Sequence, residues 1–295
     1  MTTEQQISIV IPSKNEAGSL VEFLPLLRKE RPDDEIILVN DGSNDNTSEL
    51  CRQFGVIEVK HPYSKGNGAA IKSGAREASG DIIVFMDADG QHQPVEIHAL
   101  LEKMAEGFDM VVGKRSKKAQ ASVGRWAANS FYNRLASWVV EAEVGDLTSG
   151  FRAVNAKKFS QFLYMLPNGF SYPTTSTMAF FRAGYSVGYL QVDVQQREGD
   201  SHIKPMKDGL RFLLIIFKIC TLYSPLKLFV PVSFAFFTLG LGYYLFTFFS
   251  MGRFTNMSML LLSTSVLSFL IGLVSEQITT LQYKGTDRDP KRSTD

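Results

Sequence analysis

Two carboxylates separated by one residue form the clearest candidate for a reactive site in this sequence of 295 residues. Asp87 and Asp89 end the run DIIVFMDAD, whose apolar part is typical of a buried β-strand. Two carboxylates this close at a buried strand end repel each other unless a cation lies between them. Mg²⁺ and Mn²⁺ prefer oxygen ligands and would also neutralise a diphosphate. The pair therefore predicts a divalent metal site for a phosphorylated ligand.

Further polar tracts follow the other predicted strands. Strands are predicted at Ile7–Pro12, Glu35–Asp41 and Asp81–Asp89, and helices at Leu20–Glu30, Thr47–Phe54 and Gly68–Ala78. This alternation predicts an α/β fold with parallel strands and helices on both faces. In such sheets, ligands bind at the carboxyl ends of the strands. A dinucleotide-binding Rossmann site is the alternative, but no G-x-G-x-x-G tract follows the first strand.

The order of these tracts resembles one enzyme family. PSKNE, VNDGS, DADGQH, DLTSGFRA and QREGDS resemble the family 2 glycosyltransferases. Within that family they are similar to the polyprenyl-phosphate glycosyltransferases, such as dolichol-phosphate mannosyltransferase and the bacterial undecaprenyl-phosphate glucosyltransferases. The resemblance covers residues 7 to about 204. It implies a GT-A nucleotide-sugar-binding fold with a Rossmann-like, mostly parallel sheet.

The resemblance assigns the donor side of the site to several loops. Asp87 would face the nucleotide sugar, while Asp89 and Gln91 would hold Mg²⁺ or Mn²⁺ on its diphosphate. Arg197 would bind the donor and compensate charge on the leaving group. At residues 65–68, exposed backbone amides at a helix start would suit an anion. The residues that would line the nucleoside pocket and its neighbouring loop are Pro12, Asn15, Glu16, Asp41, Lys65 and Gly66.

The acceptor side is assigned to residues later in the chain. Arg115 ends a predicted strand, and Arg125 and Asn129 lie four residues apart on one face of a predicted helix. Arg152 is open between a role in the site and a surface ion pair. The remaining acceptor residues that the resemblance implies are Thr148, Ser149, Ser201 and Lys204.

The implied reaction joins a sugar to a lipid phosphate. The phosphate of a polyprenyl lipid (undecaprenyl or dolichyl phosphate) would attack the anomeric carbon, with inversion, and expel a nucleoside diphosphate. Because the second pKa of a phosphate monoester is about 6, the nucleophile is already ionised at neutral pH and needs no strong base. His92 is therefore interpreted as a structural neighbour of the metal site. GDP-mannose is slightly favoured as the donor over UDP-glucose. The residues expected to carry catalysis are Asp87, Asp89, Arg115, Arg125 and Arg197.

Two other functions stay open on the sequence. A processive or hydroxyl-directed family 2 transferase would make polysaccharide, but it typically needs a further acidic base and a Q-x-x-R-W tract, and the sequence has no such tract. A non-catalytic membrane scaffold with a degenerate fold is the other alternative. The intact Asp87 and Asp89, together with Arg197, favour an enzyme.

Charge and hydropathy divide the chain. Residues 1–203 carry 21 basic and 25 acidic side chains, a net charge of −4, and residues 204–295 carry 10 and 5, a net charge of +5; the sum is the +1 of the whole chain. Two uncharged runs, Leu228–Ser250 and Phe254–Ser275, each exceed the roughly 20 residues that a helix needs to cross a bilayer. They predict two transmembrane helices, with two buried helices of a soluble domain as the alternative.

The predicted domains are a cytoplasmic catalytic domain (1–203), an amphipathic interfacial segment (204–226), two transmembrane helices (227–276) and a cytoplasmic polar tail (277–295). A domain-closing buried helix is the alternative for the amphipathic segment. Basic residues flank the predicted hairpin, whereas its loop has only Arg253. The positive-inside rule therefore places both termini in the cytoplasm and the chain in the inner membrane. A homo-oligomer is a candidate state, and the near-zero net charge argues against a nucleic-acid partner.

Overall fold

A computed structural model describes residues 5–90, 92–115, 123–169, 171–192, 217 and 220–284. The chain divides into two compact units. The first comprises Met1–Trp138 and Ala142–Ser201, and the second comprises Val139–Glu141 and His202–Asp295. Most of the predicted amphipathic segment lies outside the described residues.

A seven-stranded sheet forms the centre of the first unit. Its strands span Ile7–Ser13 (β1), Glu35–Asn40 (β2), Ile57–Lys60 (β3), Ile82–Phe85 (β4), Met110–Arg115 (β5), Arg152–Asn155 (β6) and Val187–Val192 (β7). Their spatial order is β3-β2-β1-β4-β6-β5-β7. β1 pairs in parallel with β2 and β4, β2 pairs in parallel with β3, and β5 pairs in parallel with β7. β6 runs antiparallel to both of its neighbours.

Helices connect these strands and cover the sheet. They span Ala17–Glu30 (α1), Thr47–Gln53 (α2), Asn67–Glu77 (α3), Glu96–Ala105 (α4), Val123–Val140 (α5), Ala156–Ser160 (α6) and Tyr172–Arg182 (α7). The consecutive residues Ile9, Val10 and Ile11 of β1 are 0% exposed, so this strand is covered on both faces. Such burial is typical of parallel strands with helices on both sides. The predicted mostly parallel α/β fold is confirmed.

The second unit contains two long helices, Pro225–Met251 (α8) and Asn256–Lys284 (α9). Both are long and apolar enough to cross a membrane by length and composition. Phe249 is 82% exposed and Phe234 is 66% exposed, which the core helix of a soluble domain would not show. The second helix continues past the predicted end at residue 276, because a charged residue ends an apolar run without ending a helix.

Small and polar residues allow α8 and α9 to approach closely. The hydroxyl of Ser233 donates to the carbonyl oxygen of Ser265 at 2.9 Å, and the hydroxyl of Ser265 donates to the carbonyl oxygen of Ser233 at 2.9 Å. A Cβ atom on Gly272 would lie 2.7 Å from Cβ of Phe229. Interhelical contacts of this kind join helices where lipid removes the hydrophobic driving force.

Candidate functional site

The two carboxylates Asp87 and Asp89 lie within four residues of the end of β4. Met86 and Ala88 are each 1% exposed, whereas Asp87 and Asp89 are partly exposed. The strand itself ends at Phe85, and Ala88 and Asp89 lie in a turn that precedes Gly90, whose φ is 70°. The structure therefore presents two partly exposed carboxylates in the short segment that follows a central strand.

These carboxylates fit a divalent cation that takes further ligands from its substrate. Gln91 lies outside the described residues, and among the described residues no group of three His, Cys, Asp or Glu side chains could hold a metal. Mg²⁺ is usually bound by one or two carboxylates together with waters and substrate phosphates. Two aspartates with a diphosphate match that pattern.

His92 follows this pair and is built into the core. It is 6% exposed, and its ring stacks on Phe151 with a centroid distance of 4.5 Å. Burial lowers the pKa of His92, while the nearby Glu96 acts in the opposite direction, and the net shift is downward. A buried, stacked ring agrees with the interpretation of His92 as a structural neighbour.

The predicted acceptor tract (residues 146–153) lies against the predicted metal pair (Asp87 and Asp89) at Gly150. A Cβ atom on Gly150 would lie 2.7 Å from Oδ2 of Asp87, so a larger residue would displace the carboxylate. Gly150 directly follows Thr148 and Ser149, two of the predicted acceptor residues. The structure thus brings the predicted donor-facing carboxylate against the predicted acceptor tract.

Arg115 is anchored within the same tract. Its Nε donates to Oδ2 of Asp146 at 3.0 Å, and its Nη2 donates to Oδ1 of Asp146 at 3.2 Å and also to the hydroxyl of Thr148. Burial raises the pKa of Asp146, but Arg115 and Thr148 more than offset it, so the pKa lies below its usual value. The Arg115 side chain remains 30% exposed, which leaves it accessible to a ligand.

Ser149 and Arg152 are buried, with 2% and 0% of their surfaces exposed. The interpretation of Arg152 as a surface ion pair is therefore wrong. Its guanidinium donates to the carbonyl oxygen of Pro173 at 2.9 Å and to the hydroxyls of Ser176 and Thr177 at 2.9 and 3.0 Å. The burial arises because β6 lies in the middle of the sheet, with α7 packed against the first residue of that strand.

Asp41 is buried at the end of β2 and accepts hydrogen bonds from one loop. Nδ1 of His61 lies 2.7 Å from Oδ1, and the hydroxyl of Ser64 donates to Oδ2 at 2.7 Å. The backbone amides of Lys65 and Gly66 donate to the same carboxylate at 2.7 and 2.9 Å. Burial raises the pKa of Asp41, but these hydrogen bonds outweigh it and lower the pKa to about 2. The carboxylate therefore shapes the loop before α3.

The expectation of exposed amides at residues 65–68 is wrong for Lys65, Gly66 and Gly68. The amides of Lys65 and Gly66 serve Asp41, and the amide of Gly68 donates to the carbonyl oxygen of Gly169 at 3.3 Å. A Cβ atom on Gly68 would lie 2.0 Å from the carbonyl oxygen of Pro167, so this helix start fits closely against the turn before α7. An internal carboxylate and backbone carbonyls occupy the amides that were assigned to a ligand anion.

The first predicted donor loop is joined to the second. Asn15 has a left-handed backbone, with φ at 55°, and its amide donates to the hydroxyl of Ser43 at 3.0 Å. Its side-chain oxygen accepts from the amide of Asn44 at 2.9 Å. Pro12 and Glu16 flank this junction and are partly exposed. The predicted nucleoside-lining residues of β1 and β2 thus lie at one edge of the sheet.

The other predicted residues have no described side-chain contacts. Arg125 and Asn129 lie on α5, and their side chains fall outside what the structure describes. The residues that lie wholly outside the described ranges are Gln91, Arg197, Ser201 and Lys204.

Three residues near the site carry no signal in the sequence tracts. His61 holds Asp41, and Asn133 on α5 donates to the carbonyl oxygen of Gly145 at 2.9 Å. The Tyr172 hydroxyl donates to the carbonyl oxygen of Gly150 at 3.1 Å. Each contact joins residues at least 12 positions apart, which strand and helix periodicity does not relate.

Comparison with known families places these features together. Residues 8–180 match the family described as "Glycosyl transferase family 2", and residues 224–281 match the "GtrB C-terminal hairpin". The chain is similar to the undecaprenyl-phosphate 4-deoxy-4-formamido-L-arabinose transferase of Pseudomonas fluorescens (strain SBW25), with 28% identity over 80% of this chain and 70% of that protein. The enzyme of that name from Proteus mirabilis (strain HI4320) is 34% identical over 50% of this chain and 48% of its own.

Solved structures share the fold. The chain is similar to glucosyl-3-phosphoglycerate synthase from Mycobacterium tuberculosis in complex with Mn²⁺, UDP and glucosyl-3-phosphoglycerate, with a TM-score of 0.58 and 20% identity over 74% of this chain and 80% of that chain. The same synthase in complex with Mg²⁺ and UDP gives a TM-score of 0.57, with 20% identity and the same coverage. The predicted GT-A fold is confirmed.

Proposed function

This chain belongs to glycosyl transferase family 2 and is a glycosyltransferase, and we propose that it transfers a hexose from a nucleotide sugar to a polyprenyl phosphate with inversion. One observation carries the proposal: Gly150 of the acceptor tract lies against Asp87 of the metal pair, which joins the two halves of a transfer site. The relatives that act on undecaprenyl phosphate and the matched C-terminal hairpin support a lipid acceptor.

In this proposal the donor lies at the carboxyl ends of β1, β2 and β4. The nucleoside half is bordered by the junction of Asn15 with residues 43–44 and by the loop that Asp41 holds. Mg²⁺ or Mn²⁺, bound by Asp89 and Gln91, would neutralise charge on the diphosphate. The solved synthases with either metal share the fold, which supports this choice of ion.

The acceptor phosphate is positioned by cations. It needs no strong base, because a phosphate monoester is already ionised near neutral pH. Arg115, held by Asp146, presents its partly exposed guanidinium beside Thr148. Together with Arg125, Asn129, Ser201 and Lys204, it orients the lipid phosphate towards the anomeric carbon, and Arg197 offsets charge on the departing nucleoside diphosphate.

A donor panel tests the substrate. Membranes that contain the full chain are incubated with undecaprenyl phosphate and labelled GDP-mannose, UDP-glucose or a UDP-linked 4-formamido-arabinose. GDP-mannose is the first candidate and UDP-glucose the second. Transfer of label to the lipid is the expected result. Label found only in polysaccharide would instead support the hydroxyl-directed transferase, and no transfer to any acceptor would support the non-catalytic scaffold.

The metal assignment has its own test. Asp89→Ala should abolish lipid-linked product, since it removes a metal ligand. Asp81→Ala is the matched control, because Asp81 is exposed and lies immediately before the opposite end of β4. Asp81→Ala should keep activity near that of the wild type, whereas Asp89→Ala should lose at least a hundredfold. Loss of only a few-fold would contradict the assignment.

The same proposal includes an inner-membrane location with both termini in the cytoplasm. The basic flanks of α8 and α9 support this orientation. Reporter fusions at residues 1 and 295 should both report the cytoplasm, and a fusion at Arg253 should report the opposite side. A homo-oligomer is proposed as well, and its test is the mass of the detergent-solubilised protein.

A further inference from the structure

Arg152 is a fully buried cation that is surrounded by neutral groups. Its guanidinium donates to the carbonyl oxygens of Ser149 and Pro173 and to two hydroxyls of α7. The ring of Tyr172 lies 5.7 Å from the guanidinium carbon. Among the described residues, none of these acceptors is a carboxylate, and Nε has no hydrogen-bond partner. A buried charge without a paired counter-charge is costly, so a site that retains one needs another explanation.

Two carboxylates of the site act on Arg152. Burial lowers the pKa of Arg152, and Tyr172, Tyr189, Asp146 and Asp87 act in the opposite direction. Asp87 is the donor-facing carboxylate, and Asp146 holds Arg115. The guanidinium thus interacts electrostatically with the carboxylates of both halves of the site without forming an ion pair with either.

Arg152 and Tyr172 also fix the two peptide groups that flank Gly150, the residue that lies against Asp87. The guanidinium donates to the carbonyl oxygen of Ser149, and the Tyr172 hydroxyl donates to the carbonyl oxygen of Gly150 at 3.1 Å. Two consecutive carbonyls are therefore tied to side chains from β6 and α7. Gly150 has no Cβ atom, so its backbone can lie close to Asp87. A Cβ atom built on Gly150 would be 2.7 Å from Oδ2 of Asp87. Movement of these peptide groups would be transmitted to the carboxylate.

We propose that Arg152 and Tyr172 are positioning residues that lock the two peptide groups on either side of Gly150 against Asp87 and so set the geometry of the metal pair. Arg152 and Tyr172 are 0% and 2% exposed, so they act through these peptide groups. The inference rests on the proposed function for its catalytic consequence. It adds a separate claim, that Asp87, which is assigned above to the donor, also shares the cation with Asp89.

The test compares two buried tyrosines on the full chain in detergent micelles. Tyr172→Phe removes the hydroxyl that holds Gly150. Tyr132→Phe is the matched control, because Tyr132 is 3% exposed and its hydroxyl donates to Thr174 of the same helix, at 3.3 Å. Gly150→Ala pushes directly on Asp87. The affinity for Mn²⁺ is measured by electron paramagnetic resonance, with Mn²⁺ alone and with added GDP or UDP, and transfer to undecaprenyl phosphate is measured separately.

The expected result is a loss of Mn²⁺ affinity of about fivefold in Tyr172→Phe, the effect of one hydrogen bond. A loss of at least about tenfold is expected in Gly150→Ala, and none in Tyr132→Phe. Equal melting temperatures of the two tyrosine variants would assign the difference to positioning. If Tyr172→Phe and Gly150→Ala bind Mn²⁺ as the wild type does, or if Tyr132→Phe loses as much affinity, the inference is overturned. A wild type that binds Mn²⁺ but transfers nothing to the lipid would overturn the proposed function alone.

Discussion

The loop around Asp41 and the segment around Arg152 both bury a charge among neutral groups, with opposite signs and opposite energetic results. Asp41 accepts from amides, a hydroxyl and an imidazole, and its pKa falls to about 2. Arg152 donates to carbonyls and hydroxyls, and burial lowers its pKa too. For an acid, a lowered pKa means that the fold favours the charged form. For a base, it means that the fold disfavours that form.

The difference indicates why each charge is present. Asp41 adds to the stability of the first unit, because its hydrogen bonds outweigh the cost of its burial. For Arg152, burial disfavours the charged form, so we attribute its presence to the peptide that it holds and not to its charge. A buried charge can therefore serve stability at one edge of the site and geometry at the other, and substitutions should separate the two.

The largest effect is expected from Arg152→Met, and it should appear in activity. Loss of the guanidinium frees the Ser149–Gly150 peptide, and misplacement of a site by about 1 Å can lower the rate roughly 100-fold. The melting temperature should change less than in Asp41→Asn, because removal of the desolvated charge offsets the lost hydrogen bonds. Transfer assays and calorimetry check both parts. A variant that melts far lower but keeps wild-type activity would reverse the comparison.

Asp41→Asn should act chiefly on stability. A fall in pKa from 3.8 to about 2 corresponds to roughly 2 kcal/mol of unfolding free energy at neutral pH. For a unit of this size, that is a decrease in melting temperature of about 4–8 °C.

The pH dependence of stability gives the sign of the contribution of Asp41 to the free energy of unfolding. Because the pKa is depressed in the folded state, the contribution is complete above about pH 4 and is lost as the pH falls towards 2. Wild type and Asp41→Asn should therefore converge in melting temperature over that window. Asp109 directly precedes β5, at the opposite edge of the sheet from Asp41. Asp109→Asn is therefore the control for donor binding, and its KM for the donor should stay at the wild-type value. A constant difference between wild type and Asp41→Asn from pH 7 to pH 2 would contradict the assignment.

The smallest effect is expected where both partners are neutral. Ser233→Ala in the hairpin removes one of two reciprocal hydrogen bonds between α8 and α9. Such bonds contribute about 0.6 kcal/mol on average between membrane helices, so the helix pair should keep its structure. Thermal unfolding in micelles measures the change, and Thr238→Ala is the control, because its hydroxyl bonds only to its own helix in the described contacts. A loss of stability as large as that of Asp41→Asn would mean that charge does not explain the difference in stability between the contacts of Asp41 and those of Ser233.

Local pattern was sufficient to predict much of the fold. β1 and β2 were predicted to within one residue at each end, because their apolar runs are bounded by polar tracts. β6 was not predicted as a strand, since its four residues follow a tract interpreted as acceptor binding and its antiparallel pairing is long-range. Arg152 opens that strand, and its partners on α7 lie more than 20 positions later. No local pattern could indicate that it is buried.

The candidate site likewise contains residues that local pattern predicts and contacts that it does not predict. Asp87 and Asp89 were predicted at the end of a strand over Asp81–Asp89, but the strand ends at Phe85 and Asp89 lies in a turn, a boundary that the apolar run alone does not reveal. Asp41 was predicted at the correct edge of the sheet, but its partner His61 is 20 residues away and belongs to no tract. The amides at residues 65–68 were assigned to a ligand because their internal acceptors come from distant parts of the chain.

The close fit of Gly68 against Pro167 also sets an order of events during synthesis. These residues are 99 positions apart (167 minus 68), so the start of α3 is translated well before the turn that completes it. At about 5–20 residues per second, the delay is roughly 5–20 s. During that time the amide of Gly68 lacks the carbonyl oxygen of Gly169 that it bonds in the folded chain. The donor loop can reach its final form only after the ribosome has made the turn at residues 167–169.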